Sequence, residues 1–330
     1  MNSQPLVSIG LPVYNGELFL KEAIDSLLKQ SFTNFEIVIS DNASTDRTEQ
    51  ICKDYSKQDK RIRYYRSPQN KGAAWNFNRT FELATGQYFK WAAHDDFCAP
   101  TYLESCIKVL DSDPSIVLCH AETVLIDEES QKLQFKPSLD CFVNKAGKTF
   151  RKQDHSKYLD ADEPHKRYTD LLFSVRWCFE VFGLIRTSTL KQTSLIGPYY
   201  GSDKVLLAEL SLLGRFAKVP EELFFRRCQM RQSSMIDLAL DRELWIASAL
   251  VNRSFASPRL SCFHGYLQAI FDAKLTVLES AFCLASLAAW SVNMSNWRRF
   301  GLEVKREIGR TLSTQRLNIL SVRQSQKAPD

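Results

Sequence analysis

The chain has no C-x-x-C pair among its nine cysteines, no G-x-G-x-x-G and no G-x-x-x-x-G-K-[ST]. The first absence excludes a zinc ribbon or a thioredoxin-type motif. The other two exclude a dinucleotide or P-loop phosphate cradle built from glycine. Glycine and proline are scarce, 12 and 11 of 330 residues, so long flexible linkers are not expected. His94, His120, His155, His165 and His264 show no Ser-His-Asp or His-x-x-x-His spacing, which leaves hydrolase and zincin chemistry without support. No strand carries the aromatics of an RNA-stacking platform and the basic residues are scattered, so nucleic acid is not an expected partner. The opening MNSQPLVSIG has neither a basic n-region nor a long apolar run. No secretory leader is expected, and the cysteines read as reduced, mostly buried thiols of a cytoplasmic protein.

What is present is an ordinary globular composition, 44% hydrophobic and 25% charged. The length allows one large domain or two smaller ones. The net charge of +5 is unevenly spread. Residues 1–127 hold 13 basic and 17 acidic side chains, the remainder 30 and 21. The front half suits cations and the back half anions, and a basic tail could touch a membrane surface.

Over the first ~125 residues, β-rich apolar runs alternate with helical spacing. Strands are expected at Leu6 to Val13, Phe35 to Ser40, Arg61 to Tyr65, Tyr88 to Ala92 and Ser115 to His120. Helices are expected at Glu17 to Gln30, Thr45 to Tyr55, Gly72 to Ala84 and Pro100 to Asp111. This order means βαβ units and a mostly parallel sheet with helices on both faces. Residues 128–165 are polar and mixed and read as an excursion or mobile loop. Beyond them, helices are expected at Tyr168 to Val175 and Asp203 to Leu213, strands at Val181 to Ile185 and around Leu223 to Arg226, and helices only from about 238. Ser280 to Trp297 is uncharged, but its serines and asparagines fit a packed or interfacial helix better than a spanning one. Arg298, Arg299, Lys305, Arg306 and Arg310 follow it.

Open parallel sheets bind ligands at the carboxyl ends of their strands. There the sequence places Pro12-Val-Tyr14-Asn15-Gly16, Asp41-Asn42-Ala-Ser44-Thr45-Asp46 and His94-Asp95-Asp96. Paired carboxylates without a glycine cradle suggest Mg²⁺ or Mn²⁺ shared with phosphate oxygens. An acidic turn ahead of a helix is the plainer account of Asp95 and Asp96. Asp41 could close an Asx turn or accept from a nucleobase N–H, and Tyr14 could stack on a base or simply pack.

These runs, with Asn70-Lys71-Gly72, Asn76, and Ala84-Thr-Gly-Gln-Tyr88, resemble the inverting glycosyltransferases of family 2 over about 90 residues. The resemblance implies an α/β fold of the GT-A nucleotide-diphospho-sugar transferase type, mostly parallel sheet flanked by helices, here with a helical C-terminal extension. It implies a nucleotide-sugar donor such as a UDP-sugar, a Mn²⁺ or Mg²⁺ cofactor, and a glycan, lipid-linked sugar or other hydroxyl as acceptor. By position, Pro12, Tyr14, Asn15, Asp41, Asn70, Lys71, Asn76 and Asp95 would bind the donor. Asp95 and Asp96 would hold the metal. Ala93 and His94 stand where the family's Asp-x-Asp begins, so one metal-facing acid is missing.

Gly201-Ser-Asp203 falls where the family opens a helix with an acidic pair. Asp203 is then the expected base that takes a proton from the acceptor hydroxyl, the alternative being a plain helix cap. Arg226, Arg227 or Arg231 could clamp the diphosphate. The implied organisation is a nucleotide-sugar half at 1–127, an acceptor and base half of the same domain at 128–237, and a helical extension at 238–330. The resulting expectation is a metal-assisted single-displacement glycosyltransferase, cytoplasmic or at the inner face of the membrane. The alternatives are a nucleotidyltransferase and a non-catalytic nucleotide-sugar binder.

Overall fold

A computed structural model describes residues 4–145, 147–151, 156–228, 245–247 and 257–293. The first half alternates as its periodicity predicts: β1 (Val7–Val13), α1 (Leu20–Leu28), β2 (Phe35–Asp41), α2 (Thr48–Gln58), β3 (Ile62–Arg66), α3 (Ala73–Glu82) and β4 (Tyr88–Trp91). A two-residue strand β5 (Phe97–Cys98) and α4 (Tyr102–Ser112) follow, then β6 (Ile116–Ile126). Every residue of β1, β2 and β4 is buried, as expected for central strands covered on both faces.

Residues 128–165 are more ordered than their polar composition suggests. They contain a small antiparallel sheet of β7 (Gln134–Lys136), β8 (Cys141–Val143) and β9 (Thr149–Arg151). Its strands are three residues long, too short for period-two alternation to register in sequence. Packing against Leu125, Phe179 and Cys228 makes up for that weak local signal. The chain continues through α5 (Pro164–Phe173), a 3₁₀ turn (Phe179–Phe182), β10 (Leu184–Arg186), α6 (Thr187–Leu190), α7 (Ser202–Leu213) and β11 (Arg215–Arg227). It ends in α8 (Pro258–Asp272) and α9 (Val277–Val292). Residues 229–244, 248–256 and 294–330 lie outside the described residues, and with them most of the expected run of helices from 238, Arg231 and the basic residues from Arg298 onward.

The eight-stranded sheet runs β3-β2-β1-β4-β10-β6-β11-β5. Strands β1 to β4 are mutually parallel where paired, and β6 and β11 are parallel to each other. Strand β10 is antiparallel to both β4 and β6 and so joins the halves, and β5 is antiparallel to β11. One sheet therefore holds strands from both sides of residue 127. Strand β11 is longer than the apolar run at Leu223–Arg226 because its first half pairs with β6 through bulges around Val219–Glu222. Among the described residues no helix is long and apolar enough to cross a membrane. All nine cysteines are buried thiols.

Candidate active site

The carboxyl ends of β1, β2 and β4 lie side by side on one sheet edge, so the three segments singled out in sequence are neighbours. The turns after β1 and β2 are laced together. Asn15, with φ of 51°, donates its N–H to Ser44 Oγ (2.9 Å), and its Oδ1 accepts from Thr45 N (2.8 Å). The Gly16 N–H reaches Thr48 Oγ1 at 2.8 Å, and Glu17 N reaches Asp46 Oδ2 at 3.1 Å. A Cβ on Gly16 would stand 2.8 Å from His94 Cδ2, so only glycine lets the β4 turn pack this closely. Pro12 is buried inside β1, and Tyr14 stands open beside it.

Asp41 is fully buried. Its Oδ1 accepts from Ser44 N (2.8 Å), closing the Asx turn, and its Oδ2 accepts from Tyr64 Oη (2.8 Å). Tyr64, on β3, carried no motif in sequence. Asn42 Nδ2 donates to Asn70 Oδ1 (2.9 Å) and to the Gly72 carbonyl, and its Oδ1 accepts from Lys71 N. Lys71 Nζ lies 4.5 Å from the Trp75 ring centre. Asn76 ties β1 to β2 by donating to the Val13 and Ser40 carbonyls. Its own Oδ1 is buried without a hydrogen-bond partner. A buried acceptor left empty costs about 1–3 kcal/mol.

Asp95 is half-buried after β4 and Asp96 is buried. Asp96 Oδ1 accepts from Arg227 N at 2.9 Å. Burial, and then the charge of Asp95, pushes the Asp96 carboxyl up to about 7, against the pull of Arg226. Among the described residues no three His, Cys, Asp or Glu side chains cluster as a metal cage. The two adjacent carboxylates of Asp95 and Asp96 still fit a divalent cation shared with a ligand's phosphate oxygens, because such ions take only one or two carboxylates there.

The two C-terminal arginines of β11 part company. The Arg227 guanidinium is buried over the Phe19 ring and donates to the carbonyls of Asp95, Asp127 and Glu128, to Ser130 Oγ and to Glu22 Oε2. It is a structural tie, not a diphosphate clamp. Arg226 lies over Phe179, 4.5 Å from the ring centre, and its charge acts on both Asp96 and Asp203.

Asp203 opens α7 and accepts from Lys204 N at 2.9 Å. The surrounding protein pushes its carboxyl up, while that N–H and the charges of Lys204 and Arg226 pull it down. Beside it, Cys178 adopts φ of 51°, and the rings of Trp177 and Phe179 on either side stack at 6.3 Å. A non-glycine residue held there is strain of the kind found at functional sites. Glu180 is buried next in the chain with Oε2 unpartnered, and burial pushes its carboxyl up. Residues 177–180 showed no signal in sequence beyond aromatic content.

A family description, Glycosyl transferase family 2, matches residues 8–166. An uncharacterized glycosyltransferase of Rickettsia typhi is 40% identical over 134 residues, 40% of each chain. Another, of Haemophilus influenzae, is 33% identical over 132 residues, 40% of this chain and 52% of its own. The chain thus spans about half or less of the length of these curated relatives. Among solved structures, TarS 1-349 of S. aureus in complex with UDP-GlcNAc has a TM-score of 0.61 at 16% identity, covering 92% of this chain and 80% of TarS. A Pyrobaculum calidifontis mannosyltransferase in complex with GDP-Man and Mn²⁺ has a TM-score of 0.51 at 14% identity, covering 92% and 85%. These likenesses establish a GT-A-type fold.

Proposed function

We propose that the chain, whose residues 8–166 match the Glycosyl transferase family 2 description, transfers a sugar, with inversion, from a nucleotide-diphospho-sugar to a hydroxyl acceptor. What supports this reading is the sheet edge where the turns after β1, β2 and β4 lie side by side, the first two tied together by Asn15, Ser44, Thr45 and Asn76, within the stretch the family description matches. The acceptor oxygen attacks the anomeric carbon while the bond from that carbon to the diphosphate breaks. Asp203 takes the hydroxyl proton, and its raised pKa suits a general base better than an ordinary aspartate would. Arg226, part-buried at the end of β11 with its guanidinium over the Phe179 ring, offers its charge to the departing diphosphate in this reading. A divalent cation, when bound at Asp95 and Asp96, supplies charge stabilisation to the same group.

UDP is the proposed carrier, supported by the UDP and UDP-GlcNAc bound by TarS. Tyr14 faces the donor's nucleoside end in this reading, and Asn76 holds the β1 and β2 ends that carry it. Pro12, Asn15, Asn70 and Lys71 shape its loops, and Asp41 acts mainly by holding the β2 turn. The acceptor is a glycan, a lipid-linked sugar or another hydroxyl. Nine buried thiols suit a reducing compartment, which supports the cytoplasm. The test is Asp203→Asn. It should bind UDP-sugar in calorimetry as the parent does, yet turn over about a hundred- to ten-thousandfold more slowly. Undiminished turnover would reject Asp203 as base, and release of pyrophosphate in place of UDP would mark a nucleotidyltransferase.

A further inference from the structure

Helix α9 packs one side on α5 and α8 through Cys283 and Leu287, both buried. Its other side is open. Val277 is 90% exposed, Leu278 66%, Phe282 48% and Val292 66%. Ala281, Leu284, Ala285, Ala288 and Ala289 fill the exposed positions between them, so the outer face carries no charged residue over four turns. Glu279, the single acid of the helix, is spent on a capping box with Thr276. Phe271, 70% exposed at the end of α8, lies just before this face in the chain. Isolated exposed apolar side chains are ordinary, but a continuous uncharged helix face marks an interaction site.

The helix is 16 residues long, about 24 Å, and too short to span the ~30 Å core of a bilayer. The sequence that follows is basic over residues 298–310: Arg298, Arg299, Lys305, Arg306 and Arg310 against Glu303 and Glu307. An apolar helix face joined to a cluster of lysine and arginine combines the two terms of interfacial binding, burial at the acyl boundary and attraction to anionic headgroups. We propose that the outer face of α9, with Phe271, docks on the surface of an anionic lipid bilayer. A helical partner would also want an apolar face, but it would leave the neighbouring basic cluster without a role. The inference stands apart from the chemistry of the cleft and survives its failure.

The test is sedimentation of the full chain with vesicles, either pure phosphatidylcholine or phosphatidylcholine mixed equally with phosphatidylglycerol. The chain should sediment with the anionic vesicles, less at high salt, and little with the neutral ones. Leu278→Asp with Val292→Asp changes two outward side chains and should weaken binding about tenfold or more with the melting temperature unchanged. Arg298→Glu with Arg299→Glu should weaken the salt-dependent part, and it serves as the variant if the first one unfolds. A full chain that stays in solution with anionic vesicles overturns the proposal, as does equal binding by parent and both variants. So does a dimer in light scattering that Leu278→Asp with Val292→Asp converts to a monomer, because a second copy would then occupy the face.

Discussion

Asp203, the proposed base, sits in an environment unlike that of an ordinary surface aspartate. Its carboxyl is held above the usual aspartate value of 3.8, chiefly because protein replaces water around it. A general base works deprotonated, so kcat/KM should fall as pH drops through this raised pKa, on an acid limb displaced above the ordinary aspartate range. A pH–rate profile reads the limb directly, and a limb at an unperturbed position would contradict the assignment. Arg227 makes the opposite point. Next to Arg226 in sequence and equal in charge, it is consumed by carbonyls from the turns after β4 and β6 and by Glu22 of α1. Arg227→Met leaves those acceptors empty and should cost about 3–5 kcal/mol, read from the urea midpoint. The two arginines could not be told apart beforehand, because alternation along a strand says they face opposite ways but not which way holds the site.

At the scale of elements, α3 sits against β1 at a distance set by Gly10. A Cβ there would lie 2.4 Å from Thr80 Oγ1 and 2.6 Å from Phe89 Cζ. Gly10→Ala should therefore destabilise by about 1–3 kcal/mol, seen as a lower melting temperature. Asn76, which ties the ends of β1 and β2, is carried on that helix, so the substitution should also weaken donor binding. The first seven elements were legible because the helices bury apolar stripes at helical spacing while the strands between them read as short β-rich apolar runs. Lys90 was less so. It is fully buried in β4, with its ammonium on the Phe182 carbonyl and over the rings of Tyr102 and Phe224. Those partners come from distant elements, which local pattern cannot supply. The same limit hid β5, the small sheet β7–β9 and the first half of β11, all stabilised by pairing or packing with remote residues.

For the whole molecule, the prediction is a linked one. A UDP-sugar at about a hundred times its Kd should stabilise the folded chain by about 2.7 kcal/mol, a rise of several degrees in melting temperature. Mn²⁺ should enlarge that rise in the parent and not in Asp95→Ala. An equal Mn²⁺ effect in both proteins would remove Asp95 from the cation site. The sequence alone determined the βα order, the sheet edge where acids collect, and the family those motifs resemble. Each follows from period, turn chemistry and spacing along a single stretch of chain. Only the tertiary structure decided that Asp41 is a buried turn-builder, that Arg227 is taken up by carbonyls while Arg226 lies over Phe179, that Trp177 and Phe179 stack across a left-handed Cys178, and that one side of α9 stays bare. Those outcomes depend on which distant groups meet, and burial and hydrogen-bond satisfaction are settled only when the whole chain has packed.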